Sequence, residues 1–335
     1  MKLSGKPKEK FSVGLDIGTH SIKIAKLHFT PDSLELIDVS IEPMQPDLGG
    51  VLKKLKEAQA FEAVNIALSG PATVIRDINF PKMGPEELKQ ALKFEAQRHI
   101  PFPLQEVNLD GCILKDDLPD NKMLVLLAAV RKEFIAQRIK FLESAGLKAN
   151  TVEIDSLSLA NAFNFNYGQE EGLKSKAVAL LNIGAAITNV TILEDGLPRL
   201  SRDIPIAGNN FTQKIADTLG VDFKSAEEIK LKPESEQFSK IAHGLEAVFA
   251  ELTQEIRISF DYYESQSAST VGKIFLSGGG SLLLGLKERL SGLMGIEVNY
   301  WEPFKKVRLS ASLDPEKVKS LSAQLAVALG LALRQ

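Results

Sequence analysis

The sequence has little cysteine and no long apolar run. Cys112 is the single cysteine of the 335-residue chain, so no internal disulfide and no thiolate metal cluster can form, which fits a reducing compartment. No segment approaches the ~18 consecutive apolar residues that a membrane-spanning helix needs. No apolar segment follows the lysines of residues 1–10, as it would in a signal peptide. We expect residues 1–10 to form a flexible tail, with a weak contact to anionic lipid as the alternative.

An excess of charge of either sign is also missing. The chain has 40 basic and 43 acidic residues and a net charge of -3, so no global basic field would collect nucleic acid. With 44% hydrophobic and 25% charged residues, the composition is that of a folded globular protein. A length of 335 residues favours two domains.

Two similar β-hairpins organise the chain. In each, a β-rich apolar run meets a polar residue, an isoleucine and a glycine before a second β-rich run, over residues 13–24 and 178–190. Gly184 follows Gly18 by 166 positions, nearly half the chain, which indicates two homologous halves. We expect each glycine to adopt a positive φ and to let backbone amides approach an anion, because no Cβ is in the way.

A third glycine-rich segment lies between a strand pattern and a helix pattern. Residues 273–276 are typical of a buried strand, residues 277–281 of a tight turn and residues 282–290 of an amphipathic helix. A flexible linker is the alternative, but a glycine turn between a strand and a helix presents amides and a helix dipole to phosphate. Elsewhere helix and strand patterns alternate, which favours α/β layers. Residues 124–130 are predicted to be a buried strand, and the other predicted helices are 86–99, 132–144, 209–219, 225–230, 236–265 and 322–333.

Together these segments resemble the actin/Hsp70/sugar-kinase ATPase superfamily, whose duplicated halves close over a nucleotide. Within it, the chain resembles the PilM family, cytoplasmic actin-like proteins of type IV pilus assembly that are close to FtsA in fold. Four separated segments carry this resemblance, residues 95–103, 145–147, 259–265 and 326–334. It implies an α/β fold of the duplicated actin/Hsp70/FtsA type, with two core subdomains and two smaller subdomains.

The resemblance also implies boundaries. After the tail, the first core subdomain would take residues 11–82, 151–172 and 315–335, and a small FtsA/PilM-type subdomain would be inserted at 83–150. The second core subdomain would take residues 173–210 and 266–314, with a small helical subdomain at 211–265.

In this superfamily the glycine segments bind ATP or ADP with Mg²⁺. Asp16 would hold a Mg²⁺-bound water, and Lys23 would contact the phosphates as a point charge. Glu227 and Lys230 lie on one helical face and would contact ribose and base, with a solvated salt bridge as the alternative. The other predicted nucleotide contacts are Gly18, Thr19, His20 and Ser21 in the first loop, Gly184, Ala185, Ala186 and Thr188 in the second, Gly208, and the glycine loop Gly278, Gly279, Gly280 and Ser281. For His20, an exposed loop histidine without a role is the alternative.

Asn182 departs from the family pattern. The family has an acidic residue there that helps to hold Mg²⁺ and the attacking water, whereas asparagine carries no charge and is a doubtful metal ligand. Asp155 and Glu153 are the remaining acids that could orient a water. We therefore expect ATP binding with weak or no ATPase activity.

PilM-like proteins hold the N-terminal cytoplasmic tail of the membrane protein PilN in the cleft between the first core subdomain and the inserted one. By resemblance, we expect a cytoplasmic scaffold of pilus biogenesis and twitching motility that contacts other inner-membrane complex proteins. It would be held at the inner membrane through its partner, without inserting itself. Ile100 and Phe102 would line the peptide groove, or else be buried in the core of the inserted subdomain. Self-association stays open.

Two other functions stay open. A small-molecule kinase of the same superfamily would need a catalytic aspartate with a sugar-binding insertion, for which the sequence offers no candidate. An FtsA-type division filament protein would carry an amphipathic membrane helix after its last core helix, whereas this sequence stops at Arg334 and Gln335.

Overall fold

The chain folds into two compact units that interleave along the sequence. A computed structural model describes residues 10–31, 33–173, 176–231 and 235–334, and in the last range it describes the side chains from Lys240 onward. The first unit contains Met1–Leu68, Ile139–Gln169 and Trp301–Gln335, and the second contains Ser69–Arg138 and Glu170–Tyr300. Apart from Lys10, the predicted flexible tail lies outside the described residues, and the finer division into four subdomains stays a prediction.

The described strands form three sheets. The strands are β1 (Lys10–Ile17), β2 (Ser21–Phe29), β3 (Leu34–Pro43), β4 (Ala63–Leu68), β5 (Thr73–Pro81), β6 (Val107–Leu118), β7 (Lys122–Arg131), β8 (Lys148–Ile154), β9 (Ala177–Ile183), β10 (Thr188–Glu194), β11 (Leu197–Ile204), β12 (Val271–Ser277), β13 (Glu297–Tyr300) and β14 (Arg308–Leu309). The first unit contains the sheet β14-β3-β2-β1-β4-β8. The second unit contains the sheets β11-β10-β9-β12-β13 and β5-β7-β6.

The two large sheets repeat one topology. In the first, β1, β2 and β3 are antiparallel neighbours, and β4 and β8 continue the sheet on the other side of β1 in parallel. In the second, β9, β10 and β11 are antiparallel neighbours, and β12 and β13 continue it in parallel on the other side of β9. The predicted duplication and the α/β fold class are therefore confirmed.

Most predicted helices are present with nearly the predicted bounds. The helices are α1 (Leu48–Gln59), α2 (Pro85–His99), α3 (Lys132–Ser144), α4 (Asp155–Tyr167), α5 (Gly208–Leu219), α6 (Phe223–Leu231), α7 (Ser235–Gln266), α8 (Leu286–Met294), α9 (Pro315–Leu321) and α10 (Ala326–Ala332). Two predictions need correction. The helix predicted at 282–290 begins only at Leu286, and the helix predicted at 322–333 is a 3₁₀ turn, Ser322–Gln324, followed by α10.

Helix α10 packs unusually close to the backbone of the first unit. A Cβ at Gly14, in the middle of β1, would overlap with the Ala328 carbonyl oxygen, and a Cβ at Gly330 would overlap with the Ser158 carbonyl oxygen of α4. Glycine is therefore required at two contacts, in β1 where it meets α10 and in α10 where it meets α4. The small residues of α10 thus allow its close approach to β1 and α4.

Each sheet of the second unit has its own apolar core. The core of the five-stranded sheet includes Ile183, Phe211, Phe249 and Leu286, which come from the sheet, α5, α7 and α8. The core of the three-stranded sheet is covered by α2, whose buried residues Leu88, Leu92 and Ala96 recur every four positions. No helix in the described part of the chain combines the length and apolar character needed to cross a membrane.

Candidate functional site

The turn of the first hairpin, in the first unit, carries a charged pair. Asp16 and Lys23 are direct partners across β1 and β2, and Lys23 Nζ lies 2.9 Å from Asp16 Oδ2. The side chains are 14% exposed for Lys23 and 19% for Asp16, so solvent screens the pair only partly. The sequence predicted separate roles for them toward water-bound Mg²⁺ and phosphate. In the structure each neutralises the other, so an anion at this turn would share Lys23 with Asp16.

The tip of the first hairpin has two residues open to solvent. The Gly18 amide donates to the Ser21 carbonyl oxygen at 3.1 Å, and the Ser21 side chain is buried. Thr19 and His20 are exposed. Of the predicted first-loop contacts, Thr19 and His20 are therefore the ones with side chains that a ligand could reach.

The turn of the second hairpin, in the second unit, repeats this geometry. The Gly184 amide donates to the Ile187 carbonyl oxygen at 2.9 Å. The expected positive φ is wrong for both glycines, since neither Gly18 nor Gly184 adopts it. A Cβ at Gly184 would lie 2.9 Å from the Ile187 carbonyl oxygen, and a Cβ at Gly18 would lie 3.0 Å from Lys23 Nζ. At position 184 glycine is therefore needed for space and not for a left-handed backbone, whereas at position 18 the nearest atom is the flexible end of Lys23, which can move.

The second loop has two backbone amides that are available to a ligand. Its carbonyl oxygens accept hydrogen bonds from the first amides of α5: Gly208 donates to Gly184 at 3.0 Å and Asn209 donates to Ala185 at 2.7 Å. Within the described residues, the amides of Ala185 and Ala186 donate to no protein acceptor. Adjacent unpaired amides at a glycine turn are suited to an anion.

Two hydroxyl groups that were predicted to contact the ligand are buried instead. The Thr188 hydroxyl donates to the Ile206 carbonyl oxygen at 2.7 Å, and the Ser281 hydroxyl donates to the Gly278 carbonyl oxygen at 2.7 Å. Both side chains are fully buried. Each hydroxyl proton is therefore used inside the fold, and these residues hold the loops in shape.

The glycine loop packs against the second hairpin. Gly278 has a φ of 85°, and a Cβ there would overlap with the Ile183 carbonyl oxygen at the end of β9. A Cβ at Gly280 would lie 2.7 Å from the Gly184 carbonyl oxygen. Gly279 is exposed. The two glycine segments are therefore neighbours, and side chains at 278 and 280 would separate them.

A 3₁₀ turn, and not the predicted α-helix, follows the glycine loop. Gly279–Leu282 form this turn, and α8 begins only after Gly285, whose φ is 78°. Tyr300 donates its phenol proton to the Ser281 carbonyl oxygen at 2.6 Å. Partial burial raises the pKa of Tyr300, with a smaller contribution from Glu288, so this donor stays protonated. The loop would thus present its own amides to a ligand and not the N-terminus of α8.

Glu227 and Lys230 belong to a buried polar cluster that joins α6 to the start of α5. Lys230 Nζ donates to Glu227 Oε2 at 2.7 Å, to Thr212 Oγ1 at 2.8 Å and to the Gly208 carbonyl oxygen at 3.4 Å. The Lys230 side chain is 9% exposed, which excludes a solvated surface salt bridge. Thr212 also donates to Glu227. Sequence reasoning missed Thr212, because only the packing of α5 on α6 brings it to the pair.

An apolar cavity borders this cluster. It is lined by residues of α5, α6, α7 and α8 and by Leu283–Gly285, which follow the glycine loop. Its volume is about 140 Å³, close to that of an apolar cavity that accepts benzene. The polar side chains in its lining are Lys230, Glu246 and Arg289, and the last two form an ion pair with each other. The cavity therefore has room for one planar ring system.

A row of polar side chains crosses the second sheet beside the second loop. Asn182, Asn189 and Asp203 are direct partners across β9, β10 and β11. The Asn189 side chain donates to Asp203 Oδ1 at 2.9 Å, and the Gly70 amide donates to Asp203 Oδ2 at 2.8 Å. Both oxygens of this carboxylate are thus occupied. Asp203 was not predicted from the sequence, because only strand register places it beside Asn189.

The two weak candidates for a catalytic acid, both in the first unit, differ in burial. Glu153 is 7% exposed and accepts hydrogen bonds from Ser158 Oγ at 2.7 Å and from Arg334 Nε at 2.9 Å. It is therefore engaged by Ser158 and by Arg334, whose side chain is 48% exposed, and is not free to orient a water. Asp155 is the first residue of α4, is half-buried, and accepts the Ser156 amide at 2.7 Å. Among the described residues, no group of three histidine, cysteine or acidic side chains could hold a metal ion.

The predicted groove residues lie on the core side of the three-stranded sheet. Ile100 is 7% exposed and belongs to the core under α2, which favours the core alternative over the groove. Phe102 packs against the same core, and the Arg131 guanidinium lies 5.8 Å from its ring centroid. The exposed aromatic side chain of this region is Phe94 on α2, at 65%. Neither residue that the sequence suggested is therefore the accessible one.

The duplicated strand order, with a glycine turn at the tip of each leading hairpin and a third glycine loop beside the second, defines an actin-like fold. The family described as type IV pilus assembly protein PilM matches residues 14–335, and the chain belongs to that family. A solved structure, a PilM-PilN type IV pilus biogenesis complex, has a similar chain. The two are 28% identical with a TM-score of 0.85, and the match covers 96% of this chain and 98% of that one.

More distant matches are a solved structure with the same fold and two sequence relatives. MreB5 of Spiroplasma citri bound to AMPPNP is 12% identical with a TM-score of 0.51, and the match covers 97% of this chain and 95% of that one. Cell division protein FtsA of Bacillus subtilis is 23% identical over 258 residues, or 65% of this chain and 57% of that protein. FtsA of Pseudomonas aeruginosa is 26% identical over 261 residues, which are 67% of this chain and 61% of that protein. The chain thus matches less than two thirds of the length of either FtsA.

Proposed function

We propose that this protein is a nucleotide-binding scaffold of the type IV pilus inner-membrane assembly complex. It binds ATP or ADP, hydrolyses ATP slowly or not at all, and holds the N-terminal tail of a PilN-type partner. The observation that carries the nucleotide part is the meeting of three elements in the second unit. Gly208 donates to Gly184, Lys230 donates to the Gly208 carbonyl oxygen, and Gly280 packs against Gly184.

The order of these elements matches the parts of a nucleotide. The unpaired amides of Ala185 and Ala186 suit a phosphate. The Glu227 carboxylate, which Lys230 holds in place, suits a ribose hydroxyl, and the apolar cavity that begins at Lys230 suits a planar base. The MreB5 relative, which shares the fold, is bound to AMPPNP. These features together support a bound nucleotide better than a bound sugar or peptide in the second unit.

Magnesium would enter with the nucleotide and not as a resident ion. The described residues contain no three-ligand cluster, and Mg²⁺ is commonly held by one carboxylate, the nucleotide phosphates and retained waters. Asp16 is a suitable single carboxylate, although it is paired with Lys23. A bound Mg²⁺ would neutralise phosphate charge.

Weak hydrolysis follows from the neutral side chains beside the second loop. Asn182 and its cross-strand partner Asn189 carry no charge, and Asp203 already accepts two hydrogen bonds. Glu153 is engaged by Arg334. A water near the phosphates would therefore lack a strong general base, and general base catalysis typically contributes about 10²–10⁴-fold to a rate.

The partner part rests on family membership and on the likeness to the chain in the PilM-PilN complex. A partner with a membrane anchor would hold this protein at the cytoplasmic face of the inner membrane. The exposed Phe94 on α2 is an apolar contact that such a peptide could cover.

Titration of the purified protein with a synthetic PilN N-terminal peptide, with and without ATP, tests this proposal. We expect saturable binding of the peptide and none of a scrambled peptide with the same composition. Phe94→Ala should leave the melting temperature unchanged because the ring is 65% exposed. Absence of peptide binding, both with and without nucleotide, would contradict the scaffold assignment. It would not bear on ATP binding, which is measured separately.

A further inference from the structure

We propose that the cavity beside Lys230 recognises a purine base by shape and apolar contact, so that adenine and guanine nucleotides bind with similar affinity. This inference rests on the proposed nucleotide-binding function and concerns the selectivity of the same site. It depends on which groups of the cavity remain able to form a hydrogen bond with the edge of a base.

The walls of the cavity are hydrocarbon. They are contributed by α5, α6, α7 and the segment after the glycine loop, and include Ile215, Ile229, Ile241, Leu245, Phe249 and Leu283. Such side chains contact the faces of any planar ring and carry no hydrogen-bonding group. A volume of about 140 Å³ admits a flat ring system without specifying its substituents.

Lys230 is polar but has no proton left for a base. Its ammonium group has three N–H donors. They face three acceptors, Glu227 Oε2, Thr212 Oγ1 and the Gly208 carbonyl oxygen. A base that took one of these donors would break a bond in a cluster that is 91% buried at Lys230, so direct recognition there is unfavourable.

Glu246 and Arg289 pair with each other across the cavity, from α7 to α8. Adenine presents an amino donor at the position where guanine presents a carbonyl acceptor. The Glu246 carboxylate can accept from the amino group of adenine, and the Arg289 guanidinium can donate to the carbonyl oxygen of guanine. Both side chains are more than two fifths exposed, so either can turn to solvent when the other is used. The pair therefore does not favour one purine.

These observations set the size of the expected selectivity. A site built to hydrogen-bond one substituent rejects its analogue by about 10⁴–10⁵, whereas an apolar pocket rejects an isosteric analogue by about 10² or less. Among the described side chains that line the cavity, the exposed pair of Glu246 and Arg289 is the one able to hydrogen-bond a base. Because this pair offers both an acceptor and a donor, it does not place the site in the first class. We expect ATP and GTP to bind with dissociation constants within about tenfold of each other.

The experiment is calorimetric titration of the full chain with ATP, GTP and inorganic tripolyphosphate in the presence of Mg²⁺. Ala242→Phe fills the cavity from α7, and Ala247→Phe, an exposed position on the same helix, is the matched control. We expect Ala242→Phe to weaken ATP and GTP equally, by at least about tenfold, and to leave tripolyphosphate unchanged. Ala247→Phe should bind all three like the wild type. If the phenylalanine at position 242 prevents folding, Ala242→Leu replaces it as the cavity-filling variant.

Two results would overturn the inference. One is a preference for either nucleotide of more than about tenfold, which would mean that hydrogen-bonding groups such as the main chain at Leu284 and Gly285 distinguish the two bases. The other is unchanged ATP and GTP affinity in Ala242→Phe, which would place the base elsewhere. Failure of the proposed function looks different, since the wild type would then bind none of the three ligands.

Discussion

In the first hairpin Asp16 faces Lys23, and in the second, 166 positions later in each strand, Asn182 faces Asn189. The backbone turns are alike, with the glycine amide bonded to the carbonyl oxygen three residues on in both. At this pair of facing positions only the first hairpin carries charge. The duplicated fold therefore preserves the turn in both halves, and the chemistry at each turn is set separately by two side chains.

The two large sheets also differ in how closely a helix can pack against them. Gly14 in β1 allows α10 to approach the backbone, and the equivalent position in β9 is Leu180, which is fully buried. A helix cannot come as close to the second sheet at this strand position. The two halves thus have the same topology but differ in how closely a helix can approach each sheet.

The largest expected effect comes from making the first sheet resemble the second at this position. Gly14→Ala places a methyl group where the Ala328 carbonyl oxygen lies. We expect the free energy of unfolding to fall by about 3 kcal/mol, as overpacking of a close-packed interior does. Urea denaturation measures the change.

Gly292→Ala is the matched control for that substitution. A Cβ at Gly292, an exposed position of α8, would meet no atom within 4 Å. The free energy of unfolding should therefore rise by up to about 1 kcal/mol, because alanine favours the helix. The steric explanation of the α10 contact would be wrong if Gly14→Ala lowered the free energy of unfolding by less than Gly292→Ala raises it.

A smaller effect is expected from returning charge to the second hairpin. Asn182→Asp restores a carboxylate beside the second loop, where it can hold a metal-bound water. We expect Mg²⁺-dependent phosphate release from ATP to rise about tenfold, a low value for an added general base because its geometry is not optimised. Release is measured with a phosphate sensor.

The reverse exchange in the first hairpin is its control. Asp16→Asn removes the carboxylate there, so Mg²⁺ should no longer strengthen ATP binding. Equal phosphate release in Asn182→Asp and in the wild type would show that the missing acid is not what limits hydrolysis.

The sequence predicted the parts of the fold that local patterns control. Alternating apolar runs located both hairpins, and helical periodicity with its glycine and proline boundaries located α2, α3, α5, α6 and α7. The start of α8 was wrong because Leu282, Leu283 and Leu284 fit a helical pattern. The left-handed backbone at Gly285 instead separates a 3₁₀ turn from the helix.

The candidate site could be predicted only in part. The glycine contacts follow from the repeat and the resemblance, but the direction of a hydroxyl depends on which carbonyl oxygen lies near it after folding. That is why Thr188 and Ser281 proved to be buried donors. Thr212 and Asp203 act through partners distant in sequence, and no local pattern marks them.

The central claim is that the chain binds a nucleotide and does not turn it over rapidly. The most direct test records, in one sample of wild-type protein with ATP and Mg²⁺, both the melting temperature and the phosphate released. We expect a melting temperature that rises with ATP concentration, with about 2.7 kcal/mol of added stability at 100 times the dissociation constant, while phosphate release stays near background. A melting temperature unchanged by millimolar ATP, ADP or GTP would contradict it.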